Sequence, residues 1–137
     1  MFLIGFPLLV IPFAIYNMIA FLTPGVLWSH EVTKVTMVSG VEWTLTAGDV
    51  LLTLALLVLF VEVLKSTRMS RRSIMDHLLS MVLFIVMLIE FLLVKQAATG
   101  TFFLLLVIGF LDVVAGFSIT IRTAQRDVAI DTVDKVA

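Results

Sequence analysis

Cysteine is absent from the 137 residues, histidine occurs twice, and only 14% of positions carry Asp, Glu, Lys or Arg. Without cysteine there is no disulfide, no thiol nucleophile and no Cys-containing zinc site. His30 and His77 stand in separate segments and form no local metal motif. Neither sign of charge is in excess: nine Lys and Arg face ten Asp and Glu, a net charge of -1. No basic surplus exists to release counterions from nucleic acid. Neither a cofactor, a metal nor a nucleic-acid partner is expected.

What fills the space left by charge is apolar. Hydrophobic residues make up 61% of the chain and the mean hydropathy is +1.20, against roughly 45–50% apolar and about 25% charged in an ordinary soluble domain. A domain of this size still exposes about 30% of its chain surface, so so many Leu, Val, Ile and Phe side chains point to a lipid bilayer as the solvent. Crossing roughly 30 Å of hydrocarbon takes about 20 apolar residues in a helix. Four runs fit: Phe2 to Leu22, Asp49 to Leu64, Ile74 to Val94 and Thr101 to Ile121. The first has no Lys or Arg before it and no small-residue pair at a cleavage position, so it reads as a retained span rather than a signal peptide. Pro7 and Pro12 predict that it is kinked or begins irregularly.

The basic residues set an orientation. Lys65, Arg68, Arg71 and Arg72 lie between the second and third spans, and Arg122, Arg126 and Lys135 follow the fourth, whereas Lys34 and Lys95 fall on the other side. The positive-inside rule then puts both termini in the cytoplasm. The outward loop, residues 23–48, reads EVTKVTMVSGVEWTLTAGD from Glu31. Its Val and Thr content, the alternation of Val41, Trp43 and Leu45, and Ser39-Gly40 as turn chemistry predict a β-hairpin. A lone hairpin is marginal in water, so it is expected against the helix ends or a partner, with Trp28 and Trp43 at headgroup level. Gly48-Asp49 is expected to cap the second span. The fold class is thus an all-α membrane protein, an antiparallel four-helix transmembrane bundle over residues 1–127 with a short periplasmic β-hairpin between helices 1 and 2. Residues 128–137 form a polar cytoplasmic tail, either a frayed helical extension or disordered.

The stretches WTLTAGDVLLTLALLVLFVEVLK, SIMDHLLSMVLFIVMLIEFLLV and TFFLLLVIGFLDVVAGFSITIRTAQRD, marked by Asp49, Glu62, Asp76-His77, Glu90 and the Asp112 to Asp127 segment, resemble a family of small, uncharacterised four-helix inner-membrane proteins of proteobacteria. The resemblance covers most of the chain from Ser39 to Asp127. It implies four spans and an inner-membrane location, and it brings no activity with it.

Polar residues within the apolar runs are the candidate functional groups, because a carboxylate at membrane depth costs at least about 2.5–3.5 kcal/mol and needs a partner, a proton or water. Asp112 lies deepest, beside Gly109, Ala115 and Gly116, a small-residue face suited to close helix packing. An interhelical clamp to Ser80, Thr53 or Asn17 is the ordinary role; a proton or cation relay is the sharper one. Asp76, Ser80, Met87 and Glu90 share one helical stripe, and Asn17, Glu90 and Asp49 can meet near the outer side as a hydrogen-bonded group or a cation vestibule. Glu62 is expected to pair with Lys65 at i, i+3. Asp76 suits a helix first turn capped by Ser73, and His77 reads as a solvated interfacial residue with pH sensing as its sharper alternative. Lys65, Arg68, Arg71, Arg72, Arg122 and Arg126 are expected to meet lipid headgroups or a partner, and Arg122 and Arg126 can also pair with Asp127.

No nucleophile has a base at motif spacing, and Glu90 and Asp112 are expected to differ in depth by roughly 9 Å, so catalysis is not expected. Two functions remain. The first is a non-enzymatic accessory or interaction subunit that packs against itself or a larger membrane complex through Gly109, Ala115 and Gly116, with the hairpin as a contact surface. The alternative is a small oligomeric channel or proton-coupled transporter using Asp112 and Glu90.

Overall fold

The computed structural model describes residues 6–67 and 71–136, with the side chains at 71–73, 120, 123, 127 and 134–136 outside the description. In chain order it holds α1 (Val10–Leu22), β1 (Glu31–Thr36), β2 (Glu42–Thr46), α2 (Ala47–Ser66), α3 (Arg71–Leu93), a 3-10 turn (Lys95–Ala97) and α4 (Gly100–Val136). Three of these helices, α2, α3 and α4, are long and apolar enough to cross a membrane.

The first apolar run departs from a full-length span. Its helix has 13 residues, about 20 Å at 1.5 Å per residue. Pro7 and Pro12 account for the late start: the chain turns over residues 7–9, and Pro12 falls in the first helical turn, where a missing N–H leaves no bond unmade. The segment nevertheless touches both ends of the bundle. Its Phe6 and Leu8 meet Lys65 and Glu62 late in α2, while Tyr16 and Asn17 meet Gln96 and Glu90 late in the α3 region.

Between α1 and α2 the hairpin forms as the alternating Val and Thr pattern predicts. Strands β1 and β2 pair antiparallel, with Val35 opposite Trp43 and Thr36 opposite Glu42, and a bulge lies between Glu31 and Thr33. Gly40 adopts φ 88°, a conformation costly for any residue with a Cβ, and its amide donates to the Met37 carbonyl at 2.8 Å. The base of the hairpin is tied to α2 by Ala47 N–H donating to the His30 carbonyl and Gly48 N–H to the Trp28 carbonyl. The Trp28 ring is half-buried and stacks on that of Tyr16 at 4.6 Å, while Trp43 remains exposed.

Successive helices run in opposite directions, yet α2 and α4, which run the same way, pack closely at the centre, with α3 beside α4 and α1 beside α2. Gly48 permits the approach, since a Cβ there would lie 2.7 Å from Thr101 Oγ1. Thr46 caps α2 in a reciprocal box: its hydroxyl accepts from Asp49 N–H at 3.2 Å and the Asp49 carboxylate accepts from Thr46 N–H at 3.1 Å. The cap is therefore Thr46, with Asp49 as its third-position partner.

Helices α3 and α4 lie antiparallel along a ladder of contacts. Gly116 faces the His77 ring, Gly109 faces Met87 and Phe84, and Phe91 stacks on Phe102 with ring centroids 6.1 Å apart. Helix α4 continues without a break to Val136, so the polar tail is a helical extension rather than a disordered end. The core gathers Leu9, Tyr16, Leu51, Ala55, Met87, Phe102 and Leu105.

Candidate functional site

Two groups of polar side chains lie inside the bundle, one at each end. The larger is built on Glu62 and Lys65, one helical turn apart on α2. Lys65 Nζ is 3.1 Å from Glu62 Oε1 and 3.1 Å from Asp76 Oδ2, so one ammonium bridges two carboxylates on two helices. Both carboxylates are almost fully enclosed, with side-chain exposures of 3% and 5%. Lys65 also donates to the Phe6 carbonyl at 2.9 Å, and Glu62 Oε1 accepts from Leu8 N–H at 2.7 Å.

That last bond ties the turn before α1 to α2. The first amides of α1 find local acceptors, Val10 N–H on the Pro7 carbonyl at 3.1 Å and Ile11 N–H on the Leu8 carbonyl at 3.0 Å. The Leu8 amide ahead of them has Glu62, on another helix, as its acceptor.

One turn along α3 from Asp76, Ser80 hydrogen-bonds Asp112 of α4, with Glu62, Asp76 and Lys65 within electrostatic reach of that carboxyl. His77 is buried rather than solvated. It packs on Gly116, where a Cβ would come within 2.7 Å of Nδ1, and its ring lies 5.7 Å from that of Phe117. Asp76 Oδ1 is buried with no hydrogen-bond partner. The group therefore holds three carboxyls, one ammonium and one imidazole, drawn from α2, α3 and α4 and closed by the chain before α1.

The smaller group lies at the hairpin end. Asn17 Nδ2 donates to Glu90 Oε2 at 3.3 Å and to the Phe13 carbonyl at 3.1 Å, and Asn17 Oδ1 is buried without a partner. Beside it, the Tyr16 hydroxyl donates to the Gln96 carbonyl at 2.8 Å, which leaves the Thr99 hydroxyl to donate to Tyr16 at 2.8 Å while accepting from Phe102 N–H. Tyr16, Trp28 and Phe102 stack around these bonds.

Several expectations change in this geometry. Asp49 does not join Asn17 and Glu90, because its carboxylate accepts from Thr46 N–H in the α2 cap. Thr53 does not reach Asp112; its hydroxyl donates to the Asp49 carbonyl within α2. Asp76 is not a first-turn residue, since α3 already includes Arg71, and the side chain of Ser73, its expected cap, lies outside the described residues. Lys65 is not a headgroup contact but the cation of the buried group. Gly109 and Gly116 are occupied by α3 side chains of the same chain and are not free to receive a partner; Ala115 is half-buried. Arg122 and Arg126 are exposed on α4, while Arg68 and the side chains of Arg71, Arg72 and Asp127 lie outside the described residues.

Asp112 and Glu90 do not share a site. Asp112 is held at the level of Ser80, and Ser80 and Glu90 are about 15 Å apart along α3. Among the described residues no group of three or more His, Asp or Glu is arranged to hold a metal ion. Comparison with known proteins adds no relative: no family model, curated protein or solved structure matches the chain.

The ionic group was only partly visible in the residues themselves. The Glu62–Lys65 spacing announces one pair, and the Asp76–Ser80 stripe announces a buried face. The convergence of both on Asp112 depends on the closeness of α2 to α4, and the signal for that is Gly48 together with the buried stripe of Leu51, Ala55 and Glu62.

Proposed function

We propose that the chain is a small integral protein of the inner membrane that acts by association, as an accessory or interaction subunit in contact with itself or with a larger membrane complex, and performs no chemistry of its own. The observation that carries this reading is the inverted distribution of polarity. Leu57, Phe60 and Leu64 on α2, Leu92 on α3 and Phe103 on α4 are half or more exposed, whereas Glu62, Asp76, His77, Ser80 and Asp112 are 3–6% exposed. Such an exterior suits hydrocarbon or another apolar protein surface. The enclosed polar residues bond one another across helices, the role of interhelical clamps in a lipid-solvated bundle.

In this reading the ionic end faces the cytoplasm, where the positive-inside rule puts Arg68, Arg71, Arg72, Arg122 and Arg126, and the hairpin faces the periplasm. Because Gly109 and Gly116 serve the chain's own packing, the surfaces left for a partner are the apolar outer faces and the hairpin. The cysteine-free sequence allows a direct test. Single cysteines at Ser39 and Ala124 are expected to react with impermeant maleimide from opposite sides of sealed vesicles, with the protein retained in the membrane after alkaline carbonate. Reaction from one side, or release by carbonate, would contradict the proposal. Native mass spectrometry of mildly extracted protein then distinguishes a larger partner from a homo-oligomer.

A second reading, proton or cation handling within an oligomer, is favoured by one feature: two carboxylates flank one ammonium with the Asp112 carboxyl within electrostatic reach, and Asp76 Oδ1 has no hydrogen-bond partner. Asp112→Asn separates the two. A clamp keeps its bond to Ser80 and the protein stays folded and associated, whereas a relay loses proteoliposome flux while folding is unchanged.

A further inference from the structure

Two cavities adjoin at the hairpin end. The first, of about 310 Å³, is a groove between Ile15 and Ile19 of α1 and Val50 and Leu54 of α2, with Val32 of β1 over it and Trp28 at its edge. Val50 and Val32 are 45% and 56% exposed, so the groove is reached from the side of the bundle. The second, of about 580 Å³, is lined by apolar residues such as Pro24, Val26 and Leu27 and by polar ones, Thr46, Lys95 and Thr99. Trp28 borders both, and the consecutive residues Thr46 and Ala47 line one each, so an apolar groove and a compartment of mixed lining meet at a single stacked ring.

Their level in the fold is specific. The apolar runs of α1 and α3 end, and those of α2 and α4 begin, at Leu22, Val94, Val50 and Phe102, beside the mixed compartment. In a membrane this is the headgroup layer, and the groove is the first hydrocarbon beneath it. The mixed compartment also carries an unmatched positive charge. Lys34 pairs with Glu31, and Lys65 with Glu62 and Asp76, but among the described residues no carboxylate lies within ion-pair distance of Lys95. The start of α4 at Gly100 is on the same wall, so the positive end of that helix dipole adds to the field of Lys95.

We infer that this end of the protein binds one anionic phospholipid, with its phosphate at Lys95 and an acyl chain in the groove between α1 and α2. The inference rests on the membrane reading above. Apolar contact supplies the bulk of the affinity, and Lys95 supplies selection for an anionic headgroup over a zwitterionic one.

The test uses the full chain in mild detergent, offered phosphatidylglycerol or phosphatidylcholine with the same acyl chains and read by native mass spectrometry. One phosphatidylglycerol per chain is expected, retained at least tenfold more than phosphatidylcholine. Lys95→Gln is expected to abolish that preference, and Val50→Trp, which fills the groove from an exposed position, to reduce retention of both lipids. Lys34→Gln, at the already paired lysine of the hairpin, is expected to leave the preference unchanged. Equal retention of the two lipids by the unaltered protein, or a preference that survives Lys95→Gln, overturns the inference. Release of the protein from membranes by alkaline carbonate would instead overturn the membrane reading, so the two failures are distinct.

Discussion

The two ends of the bundle are held by different forces. At one end Lys65 gathers Glu62 and Asp76 under near-complete burial; at the other, Tyr16, Trp28 and Phe102 stack around neutral hydrogen bonds to Gln96 and Thr99. An enclosed ion group is expensive to assemble and more expensive to break, because removing one member leaves the others charged in a poor solvent. A stacked aromatic group loses its contacts one at a time. The ionic end is therefore expected to fail as a unit and the aromatic end by increments, which suits a molecule whose aromatic end carries the cavities and the exposed hairpin.

Lys65→Met breaks this contrast most severely. It leaves Glu62 and Asp76 facing each other without a cation, and a loss of about 3–5 kcal/mol is expected, measured by unfolding in mixed detergent. Hydrogen exchange at Leu8 is expected to rise in the same variant, because the Glu62 side chain that accepts from its amide loses its own anchor.

Gly116→Ala tests the packing around that end without touching a charge. The added methyl meets the His77 ring at 2.7 Å, and overpacking of this kind costs about 1–3 kcal/mol. A neutral effect on the melting temperature would show that His77 moves aside freely. At the aromatic end, Tyr16→Phe keeps the stacking on Trp28 but removes both hydroxyl bonds, with an expected loss of about 1 kcal/mol in the same unfolding assay. Asn17→Ala, which breaks the contact to Glu90 between helices and the local bond to the Phe13 carbonyl, is expected to cost about 0.6 kcal/mol, the average for polar contacts between membrane helices. Losses at Tyr16 or Asn17 as large as that at Lys65 would erase the difference between the ends.

The parts of this architecture that depend on local pattern are legible in the chain. The hairpin is written in Val and Thr alternation and in Ser39-Gly40, and α2, α3 and α4 in their apolar runs. What stays hidden depends on partners far apart in sequence. Lys65 stands in a basic stretch with Arg68, Arg71 and Arg72, so charge counting alone assigns it to the headgroups, and only Asp76 on the next helix turns it inward. His77 at the start of an apolar run has the pattern of an interfacial residue, and its burial follows from the absence of a side chain at Gly116. The brevity of α1 is in part legible, in Pro7 and Pro12. Its tether to α2 is not, because Glu62 lies far along the chain from the Leu8 amide that donates to it.

The most direct test of the ionic end as one cooperative unit compares Lys65→Met with the triple variant Lys65→Met, Glu62→Gln, Asp76→Asn, both read by unfolding in mixed detergent. Removing the stranded charges together with their cation is expected to return more than half of the stability lost in the single variant, a large positive coupling between the three positions. A triple variant that falls further, by the sum of its separate substitutions, would contradict the account and show that the three residues stabilise the bundle independently.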